Sequence, residues 1–222
     1  SGTINWRNGD TTTFTGIEQI NFIPCFTPGT TVETLRGPVR VEDIRPGDLV
    51  LTRDSGYRPV RWVGRRRLTA PDLATNPALQ PVSIAAGALG PALPSRDMVV
   101  SPQHRMLLSG PAAELLSGEA EVLAAALHLT FLPGVTREKV GTVTYIHILF
   151  DAHEIIRADG AWTESFQPGS HTLGDMDAAM RAELFSIFPE LATEAGQASF
   201  TAARVCLNRH EVRAMFAGAL AA

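Results

Sequence analysis

The chain has 222 residues, 45% of them hydrophobic and 19% charged, with a formal net charge of −4. Those figures exclude a disordered chain and predict one globular domain of ordinary core size with appendages. The weak negative charge gives no field to attract a polyanion, which argues against nucleic acid as a partner, and the basic run Arg65-Arg66-Arg67 reads as a solvated strand end.

From the start, Thr3-Ile4-Asn5-Trp6 alternates, Asn8-Gly9-Asp10 turns and Thr13-Phe14-Thr15-Gly16-Ile17 resumes, which is the pattern of a small hairpin. A lone hairpin is not stable in water, so it reads as the tail of an upstream module or as a strand pair leaning on the chain downstream of it. From Thr30 to about Ser165, short β-branched or aromatic runs are punctuated by Gly37-Pro38, Pro46-Gly47-Asp48, Ser55-Gly56, Gly90-Pro91, Pro133-Gly134 and Asp159-Gly160. Many short strands of this kind predict an all-β body. The segment from Pro71 to Ser95, rich in Ala, Pro and Gly, is expected to be a surface excursion with little regular structure apart from Val82 to Ala86. The longest apolar run, Val122 to Leu132, is broken by His128 and falls short of the roughly 20 residues a spanning helix needs, so no membrane partner is expected.

After Gln167-Pro168-Gly169 the composition changes. Asp175 is expected to cap a helix on which Met176, Met180, Leu184 and Phe188 recur every fourth residue until Pro189 ends it. A second helix is expected from about Thr201 to Leu220, with Val205, Val212, Met215 and Phe216 as its apolar stripe and Cys206 as a small core residue. Cys25 and Cys206 do not make a disulfide framework. The organisation read from these shifts is a flanking segment over 1–24, a main domain over 25–170 and a helical C-terminal extension over 171–222.

Cys25, in Ile23-Pro24-Cys25-Phe26-Thr27-Pro28-Gly29-Thr30, opens the β body and is the candidate nucleophile. Its thiol can displace its own amide nitrogen through a five-membered ring, leaving the segment ending at Pro24 attached as a thioester, with effective concentration supplied by covalent geometry. The amine must be protonated as it leaves, and His104 is a suitable donor. Ser101, three residues earlier in Ser101-Pro102-Gln103-His104, could sit in a tight turn that aims its hydroxyl and nearby N–H groups at the Pro24 carbonyl. On spacing alone the structural reading is the stronger: Ser-x-x-His arises by chance, and a His beside Met106-Leu107-Leu108 is more often a satisfied core residue.

Three ordered blocks alter that balance. Cys25-Phe26-Thr27-Pro28-Gly29-Thr30 with Val41-Glu42-Asp43-Ile44-Arg45-Pro46-Gly47-Asp48-Leu49-Val50 resembles the opening of Hint domains, the hedgehog and intein self-processing family. Ser101-Pro102-Gln103-His104-Arg105-Met106-Leu107-Leu108 resembles the family's Thr-x-x-His block, with serine keeping the hydroxyl. Tyr145-Ile146-His147-Ile148-Leu149-Phe150-Asp151-Ala152-His153, followed by Ala158 to Ser165, resembles its late blocks. Within the family the chain is most similar to bacterial intein-like domains at the ends of large, often exported proteins. The resemblance implies a horseshoe-like all-β Hint fold and autocatalytic processing: an N-to-S acyl shift at the Pro24–Cys25 bond, then release to water, a thiol or an amine. Cys25, Ser101, His104 and His153 are the implied catalytic residues, with His147 and Asp97 as accessory candidates.

The sequence departs from inteins where they carry His-Asn before the downstream junction; here stand Glu164, Ser165 and Phe166. Serine cannot form a succinimide, so cleavage without splicing is expected. The acidic residue that often follows the late-block tyrosine is Ile146 here, for which His147 is the available substitute. Pro24 crowds the carbonyl to be attacked, so processing is expected to be slow. The substrate is then the chain's own upstream polypeptide, with an external thiol or amine as acceptor and no cofactor. His104, His147 and His153 match no common metal-ligand spacing, so no metal is expected. Two alternatives are a degenerate Hint fold kept as a β-rich binding or structural module and, ranked lowest, a cysteine protease acting in trans, since no papain-type or caspase-type signature surrounds Cys25.

Overall fold

The computed structural model describes residues 2–5, 11–14, 24–174 and 176–217. β1 (Gly2–Asn5) and β2 (Thr11–Phe14) pair antiparallel, as the alternation predicts. The expected turn at Asn8 to Asp10 lies outside the described residues. The body contains β3 (Thr31–Thr34), β4 (Gly37–Arg40), β5 (Leu49–Thr52), β6 (Gly56–Pro59), β7 (Trp62–Leu68), α1 (Ala70–Thr75), β8 (Val82–Ile84), β9 (Met98–Val100), β10 (Arg105–Ser109) and α2 (Pro111–Ser117). It continues through β11 (Glu121–Ala125), β12 (Val135–Arg137), β13 (Val143–Leu149), β14 (Ile155–Ala158) and β15 (Ala161–Glu164). α3 (Ser170–Gly174), α4 (Ala178–Ile187), α5 (Glu194–Ser199), β16 (Val205–Leu207) and α6 (Arg209–Phe216) complete the order.

The largest sheet runs β16-β11-β10-β15-β14-β3-β5-β6, with β4 on β3. β12-β8-β9 and β13-β7 form smaller ladders, all antiparallel. The β14–β15 connection shows how the sequence dictates the path: Asp159 and Gly160 both take positive φ (45° and 80°), the two-residue turn that matches strand twist and that an Asp-Gly pair adopts readily. The architecture is thus the predicted mostly-β body of short strands with C-terminal helices.

Four local expectations are corrected. Residues 71–95 hold more regular structure than expected, because Thr69 and Asp72 form a reciprocal capping box that starts α1, with Pro71 in its first turn. The expected helix from Thr201 to Leu220 is instead β16 followed by α6. Val205, Cys206 and Leu207 pair in parallel with Val122, Leu123 and Ala124, and the Asn208 side chain then caps α6 through the His210 and Glu211 N–H groups. Cys206 is accordingly an exposed strand residue and not a helix core residue. Asp175 lies outside the described residues; the cap of α4 is Asp177, whose carboxylate accepts from the Met180 N–H at 2.8 Å.

Two apolar cores result. One fills the sheet body around Val32, Ile44, Val50, Met98, Val100, Met106, Val122 and Ile156. The other joins Cys25, Trp62, Leu68, Tyr145, Leu149 and Phe166 of the body to Leu173, Met176, Met180, Leu184, Phe188 and Leu191 of the extension. The expected four-residue periodicity of 176–188 is therefore the face that packs against the Cys25 side of the body.

Candidate active site

Cys25 is positioned by its neighbours on both sides. Phe26 bridges Ile146 of β13 through paired backbone hydrogen bonds of 2.9 Å each way and also bridges Val100 at the end of β9. The Ser101 N–H donates to the Cys25 carbonyl at 3.0 Å. The Pro24–Cys25 bond is thereby inserted between the loop that carries Ser101 and His104 and the strand that carries His147. Both cysteine and proline are buried.

His147 spans the junction. Its Nδ1 lies 3.0 Å from the Pro24 oxygen and its Nε2 3.7 Å from the Cys25 sulfur. A carbonyl oxygen only accepts, so Nδ1 carries the hydrogen and Nε2 of the neutral ring is bare toward the thiol. Burial is the main cause that lowers the His147 pKa, to about 4, against the opposing Pro24 hydrogen bond. Burial likewise pushes the Cys25 thiol well above its ordinary value, against a hydrogen bond from Ser101. At neutral pH the site holds a thiol and a neutral imidazole that can accept its proton.

The ring is held by what its cross-strand partner lacks. His147 stands opposite Gly64 in the β13–β7 ladder, and a Cβ on Gly64 would collide with the Trp62 indole. Trp62 fills the space left by that missing side chain and lies parallel to His147, 7° between planes and 6.3 Å between centroids. Phe166 closes the group at 5.5 Å from His147 and 6.1 Å from Trp62.

Ser101 and His104 meet the junction from the nitrogen side. The Cys25 N–H donates to Ser101 Oγ at 2.9 Å. The sequence expectation aimed Ser101 at the Pro24 oxygen and His104 at the nitrogen; in the structure His147 holds the oxygen and Ser101 the nitrogen. His104 packs edge-on against the Phe26 ring, with centroids 4.5 Å apart, and its backbone N–H donates to the Ser101 carbonyl at 3.0 Å. Its Nε2 is 2.5 Å from Thr163 Oγ1, whose own proton is given to the Arg105 carbonyl at 2.8 Å. Nε2 is therefore the protonated nitrogen, and Nδ1 is buried without a hydrogen-bond partner among the described residues. Burial lowers the His104 pKa to about 4.

The other candidates contact other parts of the chain. His153 Nδ1 accepts from the Ala203 N–H at 3.0 Å, which ties the body to the extension. Its Nε2 lies 3.3 Å from Glu164 Oε2, close enough for an ion pair but too poorly aligned for a hydrogen bond. Glu164 itself is fully buried and held by the Arg105 N–H at 2.8 Å and the Arg105 guanidinium at 2.9 Å. Asp97 accepts from the Ala86 N–H at 2.9 Å and braces a loop. Ser165 Oγ accepts from the Glu154 N–H at 3.0 Å. Among the described residues no group of three or more His, Cys, Asp and Glu side chains is arranged to hold a metal ion. Sequence reasoning missed Trp62, Gly64 and Thr163. Only Thr163 had a signal, since it precedes the Glu164-Ser165 pair already singled out.

A family model described as the Hint domain matches residues 24–170. Among solved structures, the chain is similar to the gp41-1 intein at 13% identity, covering 63% of this chain and 97% of that one with a TM-score of 0.37. A splice-inactive variant of the AceL NrdHF class 3 split intein is 16% identical, with 64% and 97% coverage and a TM-score of 0.43. A bacterial intein-like domain from Clostridium thermocellum is 14% identical, with 64% and 97% coverage and a TM-score of 0.38. No curated protein matches the chain.

Proposed function

The chain belongs to the Hint domain family, and from that membership we propose that it cuts its own backbone between Pro24 and Cys25. The observation that carries the proposal is one imidazole bridging the two reacting groups, His147 Nε2 at the Cys25 sulfur and His147 Nδ1–H at the Pro24 oxygen. Nε2 takes the thiol proton while sulfur bonds to the Pro24 carbonyl carbon. The oxygen then becomes an oxyanion facing Nδ1–H of a ring that has just turned cationic, so its stabilisation grows as charge develops. Collapse breaks the C–N bond, and the electron pair goes to the Cys25 nitrogen. The proton held on His147 Nε2 passes to that nitrogen, beside which Ser101 Oγ already accepts the Cys25 N–H at 2.9 Å. The products are a Pro24 thioester and a free amine, and the thioester is then resolved by water, a thiol or an amine.

We assign residues 1–24 as the flank that is released, 25–170 as the processing domain and 171–222 as an extension. Ser165, held by the Glu154 N–H, has no side-chain amide to cyclise, so the downstream bond stays intact and no splicing occurs. The burial of Cys25 favours a second reading, a Hint fold kept as a β-rich binding module, and that reading predicts an inert chain. Incubation with dithiothreitol followed by intact-mass measurement separates the two. Processing predicts a break before Cys25 that is absent in Cys25→Ala and at least about 100-fold slower in His147→Ala, the range for loss of a general base. Equal rates in wild type and His147→Ala would contradict the assigned role.

A further inference from the structure

Residues directly opposite in an antiparallel pair share a face, and so do alternate residues of one strand. In the β7–β13 ladder Gly64 lies opposite His147 and Arg66 opposite Tyr145. Trp62, Leu68, Tyr145 and Leu149 of that face pack in the core that holds Cys25. Arg66 therefore emerges on the Cys25 face, diagonal to His147, a separation that a long side chain spans. After burial and the hydrogen bonds already described, its charge is the next influence on the pKa of both the Cys25 thiol and the His147 ring, and it lowers each. The guanidinium is thus within electrostatic reach of the junction. Arg65 and Arg67 are exposed on the opposite face, whereas Arg66 is half-buried between Gly64 and Leu68, both buried. It is the charged group through which this face meets water. Among the described residues no carboxylate forms an ion pair with it; Asp72 of α1 is engaged by the Thr69 N–H at 2.7 Å and hydroxyl at 2.6 Å.

We infer that Arg66 selects the acceptor that resolves the Pro24 thioester, favouring a thiol that carries a carboxylate or sulfonate over one that carries an ammonium group. The inference rests on the acyl shift proposed above. The chain has a net charge of −4, which opposes an anionic acceptor, so such a preference has to come from a local cation. A guanidinium at the opening of the Cys25 face concentrates anions beside the acyl carbon and repels ammonium groups. In the step itself the acceptor's thiolate sulfur bonds to the Pro24 carbonyl carbon, and the bond from that carbon to the Cys25 sulfur breaks. Cys25 leaves with the electron pair and takes up the proton that the acceptor lost on ionising, so no further reactant is needed.

The test offers the full chain, as wild type, Arg66→Gln and Arg66→Lys, a mixture of mercaptoethanesulfonate and cysteamine at equal thiolate concentrations and weighs the first products. Both thiols draw on the same thioester, so the product ratio does not depend on how fast the acyl shift runs. The ratio of sulfonate to ammonium product should fall about tenfold in Arg66→Gln, the low end of what a local field does to a charged reactant, and stay within about threefold of wild type in Arg66→Lys. In wild type the ratio should also decline as salt rises from about 0.05 M to about 1 M, because screening weakens the field. An equal ratio in wild type and Arg66→Gln, an Arg66→Lys ratio that matches Arg66→Gln, or a wild-type ratio that salt leaves unchanged overturns the inference. Should Arg66→Gln fail to fold, the Arg66→Lys ratio and the salt series still decide. Wild type that yields neither product sinks the processing reading itself, whereas both products in a ratio indifferent to Arg66 sink only the acceptor preference.

Discussion

Cys25, Ser101 and His104 were legible in the sequence because they stand in short motifs, but the ranking of the histidines was not. His147 sits in a run from Tyr145 to Phe150 that is buried on both faces, so the alternation that would set a functional side chain apart from core is missing. Its contact with the junction depends on the Phe26–Ile146 bridge, a pairing of residues far apart in the chain, which lays the Pro24 carbonyl against it. Tautomer logic then makes a kinetic prediction. In the proposed reaction the base is the neutral His147 ring, with a pKa of about 4, and it takes the proton from a thiol whose own pKa burial raises, so no thiolate has to form beforehand. Cleavage measured at saturating hydroxylamine should be nearly flat from about pH 6 to 8 and fall as pH drops toward 4. A rate that climbs about tenfold per pH unit through 8 would mean that a pre-formed thiolate, and not His147, starts the reaction.

Among the elements, strands with local signals were readable: the β1–β2 pair, the Asp159-Gly160 hairpin and the four-residue repeat of α4 all form. β16 was not, because Val205-Cys206-Leu207 is too short to declare itself and takes its conformation from parallel pairing with β11. The repeat of α4 predicted a packing face but not its destination, which is the core that holds Cys25 and Trp62. Leu184 is fully buried there, so Leu184→Ala should destabilise the chain by about 2–5 kcal/mol, read from urea unfolding. Because that face shares one apolar core with Cys25, the same variant should also speed alkylation of Cys25 under native conditions. Cavity formation with unchanged Cys25 reactivity would show that α4 supports the body without shielding the thiol.

At the scale of the whole molecule, the all-β body was predictable from turn spacing, whereas the sharing of one core between body and extension depends on contacts no local pattern encodes. Sealing the site has a consequence for acid stability. His104 and His147 titrate near 4 in the folded chain, mainly from burial, and near 6.5 when unfolded. Between those values the unfolded chain binds protons that the folded chain refuses, so stability falls as pH drops from about 6.5 to 4. Above about 6.5 these two groups contribute no pH dependence. The loss is on the order of 3 kcal/mol for each histidine, and urea midpoints measured from about pH 7 to 4.5 should decline accordingly. A double variant with Gln at 104 and 147 should flatten that decline; an equally steep curve would place the acid sensitivity elsewhere.

Hydroxylamine captures a thioester but leaves an ordinary amide intact at neutral pH, so the mass of the released fragment tests the central claim most directly. A fragment ending in Pro24 as its hydroxamate, with a partner chain beginning at Cys25, is the predicted result. A full-length chain that persists through prolonged treatment at neutral pH, while Cys25 remains reduced, would contradict it.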